Sequence, residues 1–116
     1  MHVVANGASV DPEWIPCLVT VHVRPFQGEF ALDVYRGALH KLRDDLQRLS
    51  SDLTGSASFG NLEPTFSLEI QGDGRGHFQV AGELGPGWPG PTLAFVLEID
   101  QTFLPPIVRD LDGVLS

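Results

Sequence analysis

Cationic side chains are scarce in this chain, with 7 Lys and Arg against 15 Asp and Glu and a net charge of −8 over 116 residues. Phosphate contacts need clustered Lys and Arg, so the balance argues against nucleic acid as a direct ligand; the acidic charge suits a basic partner, though surface charge commonly serves solubility alone. There is 1 cysteine, so no disulfide can form within the chain. Cys17 lies among Leu18, Val19 and Val21 and reads as a small buried hydrophobe rather than a nucleophile. The 4 histidines, His2, His22, His40 and His77, form no HxH or HExxH pair, so no metal site is expected. No apolar run approaches the roughly 20 residues that span a bilayer. Residues 1–10 lack a basic, apolar leader, and the expectation is a cytoplasmic protein with no membrane partner. No repeat and no linker interrupts the chain, which reads as one domain over 1–116 with a loose lead-in at 1–14.

What is present is patterning. Thr65 to Gln71 alternates polar and apolar residues, Gly72 to Gly76 is a turn, and His77 to Val80 resumes the alternation. After the Gly/Pro loop at 85–91, Thr92 to Asp100 alternates again. Period two marks strands with one buried and one wet face. Phe66, Leu68, Ile70, Phe78, Val80, Leu93, Phe95, Leu97 and Ile99 share the inward parity. Ser67, Glu69, Gln71, Gln79, Glu83, Glu98 and Asp100 share the outward one. Earlier in the chain, Cys17 to Arg24 and Glu29 to Leu32 predict an antiparallel hairpin around Pro25 to Gly28, and Ser56 to Gly60 a short strand. Trp14, just before the hairpin, reads as a plug at the sheet's end.

Two helices complete the pattern. Tyr35, Leu39, Leu42, Leu46, Leu49 and Leu53 recur at spacings of three and four, predicting a helix over 34–53 with Asp33 as N-cap and Gly55 as stop. Leu104, Ile107, Val108, Leu111 and Leu115 predict a second, with Pro105 and Pro106 in its first turn and Thr102 as cap. The order β-β-α-β-β-β-β-α gives an α+β fold: one mostly antiparallel sheet of about six strands with both helices on one face.

Nothing in the residues assembles a catalytic site. The glycine run at 72–76 joins two strands instead of opening a helix, so it reads as a hairpin turn and not a phosphate cradle. Glu69, Glu83, Glu98 and Asp100 put several carboxylates on one sheet face. Paired carboxylates serve glycosidases, yet a wet sheet face is also where such groups ordinarily sit, and recognition of a basic protein is the better use. The candidate partner-binding residues are Glu69, Gln79, Glu83 and Glu98, with His77 at the hairpin end and Trp88 in the Gly/Pro loop, an aromatic that suits an interface anchor and a lid on the core equally. The alternative is a small-ligand or saccharide-binding domain on the same face, with Trp88 as a stacking platform. No cofactor is implied.

With these elements placed, the chain resembles the WapI-type immunity proteins of bacteria. The resemblance is carried by Gly28-Glu29 before a helix, by Leu42/Leu46/Leu49/Leu53 running into Gly55, and by Phe66-Ser67-Leu68-Glu69. It continues through Gly76-His77-Phe78-Gln79-Val80-Ala81-Gly82 and through Phe95 to Leu104, over roughly residues 26–115. It implies a non-catalytic protein that binds and neutralises a cognate contact-dependent toxin, in the type case an RNase acting on tRNA. The Gly/Pro loop at 85–91 and the extended start depart from the family pattern, and no catalytic residues carry over.

Overall fold

A computed structural model describes residues 2–5, 12–61, 65–87 and 89–116. The elements are β1 (His2–Ala5), β2 (Trp14–Val23), β3 (Phe26–Tyr35), α1 (Arg36–Asp52), β4 (Thr54–Asn61), β5 (Thr65–Asp73), β6 (His77–Gly85), β7 (Leu93–Asp100), a short 3-10 turn (Gln101–Phe103) and α2 (Leu104–Leu115). The α+β class and the two helices match the sequence pattern. The single six-strand sheet does not. Among the described residues the strands form two antiparallel sheets, ordered β1-β2-β3 and β4-β5-β6-β7. Alternation fixes which face a side chain takes but not which strands are neighbours, and α1 separates the chain into two groups that each pair locally.

The first sheet is the predicted hairpin, lengthened at both ends and joined by a third strand. Pairing runs without interruption from Val23↔Phe26 to Trp14↔Tyr35. His2–Ala5, assigned by the sequence to a loose lead-in, instead pairs with β2, and Val3 is buried opposite Val19. Residues 6–11 lie outside the described part. Because pairing continues to Tyr35, Asp33 sits inside β3 and cannot cap α1. The helix begins at Arg36, whose backbone N–H donates to Glu13 O at 2.7 Å, and no side chain caps it. Tyr35 therefore leaves the predicted helical stripe and stacks edge-on against Trp14, with ring centroids 5.6 Å apart. Both rings are about half exposed, so Trp14 is no core plug.

The rest of the α1 stripe holds, with Leu39, Leu42, Leu46 and Leu49 all buried. The helix stops at Leu53, which takes the left-handed conformation (φ 65) two residues before the predicted Gly55. That conformation costs a non-glycine residue roughly 1–2 kcal/mol. Two hydrogen bonds offset it: Leu53 N donates to Leu49 O and Gly74 N donates to Leu53 O, both at 2.9 Å. Gly72 permits this close approach, since a Cβ there would stand 2.4 Å from Leu53 O.

The second sheet is a four-strand meander with every predicted inward residue at the inward parity. Phe66, Leu68, Ile70, Phe78, Val80 and Phe95 are buried, while Leu93, Leu97 and Ile99 on the outer strand are half-buried. α2 buries Leu104, Val108, Leu111 and Val114. Its lead-in is capped by Asp100 rather than by Thr102: the Asp100 carboxylate accepts from Thr102 N at 2.8 Å and from the Thr102 hydroxyl. One core cluster collects residues from both sheets and both helices. The helices pack on each other, α1 beside β4 and α2 against β1. Arg43 clamps them from outside by pairing with Asp112 at 2.7 Å.

Candidate partner-binding face

The register of the second sheet turns the outward residues into a small lattice. Its rows are Gly60–Ser67–Glu83–Ala94, Ser58–Glu69–Ala81–Val96 and Ser56–Gln71–Gln79–Glu98, and Thr54–Asp73 lies beyond them with His77–Asp100 alongside. Four of the five described sequence-derived candidates thus lie inside one face: Glu69, Glu83, Gln79 and Glu98. His77 stands at its end beside the hairpin turn. Trp88 lies outside the described residues.

The carboxylates are interleaved rather than opposed. Glu69 faces Ala81 and Glu98 faces Gln79, so no two carboxylates share a cross-strand pair within these rows. Glu69 and Glu83 are diagonal neighbours, a relation that separates Cα atoms by about 7–8 Å. This spacing avoids the penalty of like charges directly opposite while keeping one sign of charge over the whole face. No Lys or Arg occurs in β4, β5, β6 or β7. Four of the 7 basic residues, Arg36, Lys41, Arg43 and Arg48, lie on α1, where Lys41 and Arg48 both pair with Asp45.

The acidic groups divide by what they already hold. Asp73 Oδ1 accepts from Arg75 N at 2.7 Å and His77 N at 3.2 Å, closing the hairpin turn. These bonds, led by that from Arg75, with the nearby His77 charge, hold the Asp73 carboxyl below its usual range. Asp100 is lowered likewise, by the Thr102 hydroxyl first and the Thr102 N–H second. Both are structural: Asp73 closes the hairpin turn and Asp100 caps the lead-in to α2. His77 Nδ1 lies 3.5 Å from Asp73 Oδ2 and belongs to the same turn. Glu69 accepts one bond from Gln71 Nε2 at 2.9 Å. Glu83 and Glu98 are exposed and have no side-chain partner among the described residues.

Between Glu69 and Glu83 the face dips. Ser58, Ser67, Ala81 and Ala94 are short, and together with the glutamates and Val96 they line an open depression of about 580 Å³. A second depression of about 540 Å³ lies at the Gln71, Asp73, His77, Gln79 and Glu98 end. Val96, 63% exposed, is the one large apolar side chain within the acidic rows. The sequence reading passed over it, although its signal was present: an apolar residue at outward parity in an otherwise polar row. A floor of short residues, an apolar wall and two flanking carboxylates suit a long cationic side chain, whose stem packs on carbon while its head meets charge. The depressions open broadly to solvent and form no enclosed cleft around the carboxylates. Among the described residues no group of His, Cys, Asp and Glu could hold a metal ion.

The profile of the Immunity protein WapI-like family matches residues 4–116, nearly the whole length. The chain belongs to this family. Its members are non-catalytic immunity proteins. No curated protein matches. Among solved structures, the fold matches a chain of the CdiA-CT/CdiI toxin and immunity complex from Enterobacter cloacae, with a TM-score of 0.53 at 11% sequence identity. The match covers 97% of this chain and 99% of the other. At that identity the likeness is one of fold. For this WapI-like chain it extends over both sheets and both helices. No helix among the described residues is long and apolar enough to cross a membrane.

Proposed function

We propose that this WapI-like protein binds and neutralises a cognate nuclease-type toxin by laying the outer face of the β4–β7 sheet over the toxin's basic, RNA-binding surface. The observation that carries the reading is the sheet's charge. Glu69, Glu83 and Glu98 project from strands that contain no Lys or Arg, and Glu69 and Glu83 flank an open depression floored by short side chains. A nuclease must present clustered cations to its substrate, so the surface that binds RNA is complementary to this face. Gln79 and His77 extend the contact toward the hairpin end. Summed negative charge speeds capture, because oppositely charged proteins associate faster than neutral ones at low ionic strength. The place of action is the cytoplasm, where the toxin meets RNA. The fold match to a chain of a toxin and immunity complex and the family profile both support this role.

The test is co-purification with a candidate toxin from a neighbouring gene, followed by an RNase assay with increasing amounts of the protein. The reading expects a stoichiometric complex and loss of RNase activity at equimolar ratio. Absence of binding at low salt contradicts it.

A further inference from the structure

The two sheets present four edges, and β7 is unlike the others. β1 is four residues long and packs against α2. β4 is polar and carries Gly55 and Gly60, and β3 carries Gly28 and Asp33. β7 reads Leu-Ala-Phe-Val-Leu-Glu-Ile-Asp, with no glycine, proline or lysine. It pairs with β6 over eight consecutive residues without a bulge, and its other edge makes no backbone hydrogen bond among the described residues. Proteins ordinarily blunt such an edge with lysine, proline, bulges or a covering element. Among the described residues no lysine, proline, bulge or covering element blunts this edge, its only charges are Glu98 and Asp100, and the strand's two faces differ sharply in chemistry.

On the inner side, β7 borders an apolar cleft of about 130 Å³ between the hairpin tip of the first sheet, the second sheet and the start of α2. Leu97, Ile99 and Ile107 line it and remain half-buried, and Phe103, also in the lining, is 54% exposed. An apolar cavity near 150 Å³ accommodates a benzene-sized group, so the cleft suits one apolar side chain. On the outer side stand Val96, Glu98 and Asp100. A strand laid against this edge would place alternate side chains in the cleft and on the acidic face. Charge decides what that strand is. A second copy of this chain brings another net charge of −8 and no cations in its own β7, so self-pairing is opposed.

We propose that the β7 edge is a strand-addition site for an extended segment of a partner protein in which apolar residues alternate with Lys or Arg. The backbone of the segment pairs with β7, one of its apolar residues fills the cleft beside Leu97, Ile99 and Phe103, and its cations meet Glu98 on the outer face. The proposal rests on the protein-binding role above and adds to it the conformation and sequence pattern of the bound segment.

The test is an NMR titration with a short acetylated peptide alternating lysine and isoleucine, alongside a peptide of the same composition with the residues in blocks. A third peptide replaces lysine with glutamate. The alternating cationic peptide is expected to shift the amides of residues 93–100 and to slow hydrogen exchange at alternate β7 amides. The other two should bind about tenfold more weakly. F103E, at an exposed position, should weaken the alternating peptide by a similar factor, and E98K by about fivefold. No shift at β7 with about 1 mM peptide overturns the proposal. So does equal binding of the block peptide, or shifts confined to Glu69, Ala81 and Glu83 without protected β7 amides. The titration contains no toxin, so its failure would overturn strand addition and leave the toxin-binding role standing.

Discussion

At Gly82 the second sheet has no room for a side chain. A Cβ there would stand 2.6 Å from Phe95 Cζ, 2.8 Å from Ser67 O and 3.0 Å from Leu68 Cδ2. The inward row Phe59–Leu68–Gly82–Phe95 therefore gains its large Phe95 ring through the absence of a side chain beside it. Gly82→Ala should destabilise the fold by about 1–3 kcal/mol, the usual cost of overpacking, measured as a lower urea midpoint. Cys17 makes a second prediction. Burial, reinforced by the nearby Asp33 charge, pushes its thiol up to about 11 from an ordinary 9. Between those values the unfolded chain releases this proton and the folded chain keeps it, so stability falls as pH rises from about 9 to about 11. The loss from this group approaches roughly 2–3 kcal/mol. Cys17→Ala should show a shallower fall over that window, whatever its stability at neutral pH. A slope equal to the wild type's would mean the thiol ionises as readily in the fold as outside it.

Among the elements, the helix pair shows which interaction holds the layers together. α1 and α2 share apolar contacts through their buried leucines and valines, and share the ion pair of Arg43 with Asp112 on their exposed side. Truncating a fully buried leucine costs about 2–5 kcal/mol, whereas exposed ion pairs contribute about 0–1 kcal/mol. Leu46→Ala should thus lower stability several-fold more than Asp112→Ala in parallel denaturant titrations. Elements were also the scale at which the sequence was most legible. The strand faces of β5, β6 and β7 and the α1 leucine stripe follow from periodicity alone, because burial imposes period on hydrophobicity. Boundaries followed less well. Asp33 has the chemistry of a helix cap, yet cross-strand pairing of Ile15 with Val34 and of Trp14 with Tyr35 extends the strand past it. Leu53 takes the left-handed turn that Gly55 was expected to supply, since its carbonyl is met by Gly74 N. The division into two sheets was illegible for a different reason: strand adjacency depends on long-range pairing that leaves no mark in alternation.

For the whole molecule, the distribution of charge matters more than its sum. A net charge of −8 alone is what many dispersed proteins carry. Here the bases concentrate on α1, and the β4–β7 sheet has none. The outward parity that made Glu69, Glu83 and Glu98 readable as one face did not reveal the depression between them. That depression depends on the register that sets Ala81 beside Glu69 and Ala94 beside Glu83. The measurement that tests the account most directly is the affinity and salt dependence of toxin binding for the wild type and for a triple E69K/E83K/E98K variant, by calorimetry. The account predicts wild-type binding that weakens as salt rises, a loss of about 100-fold or more in the variant, and parallel loss of RNase inhibition with the fold intact by circular dichroism. A variant that binds and inhibits as the wild type does would contradict the assignment of this face.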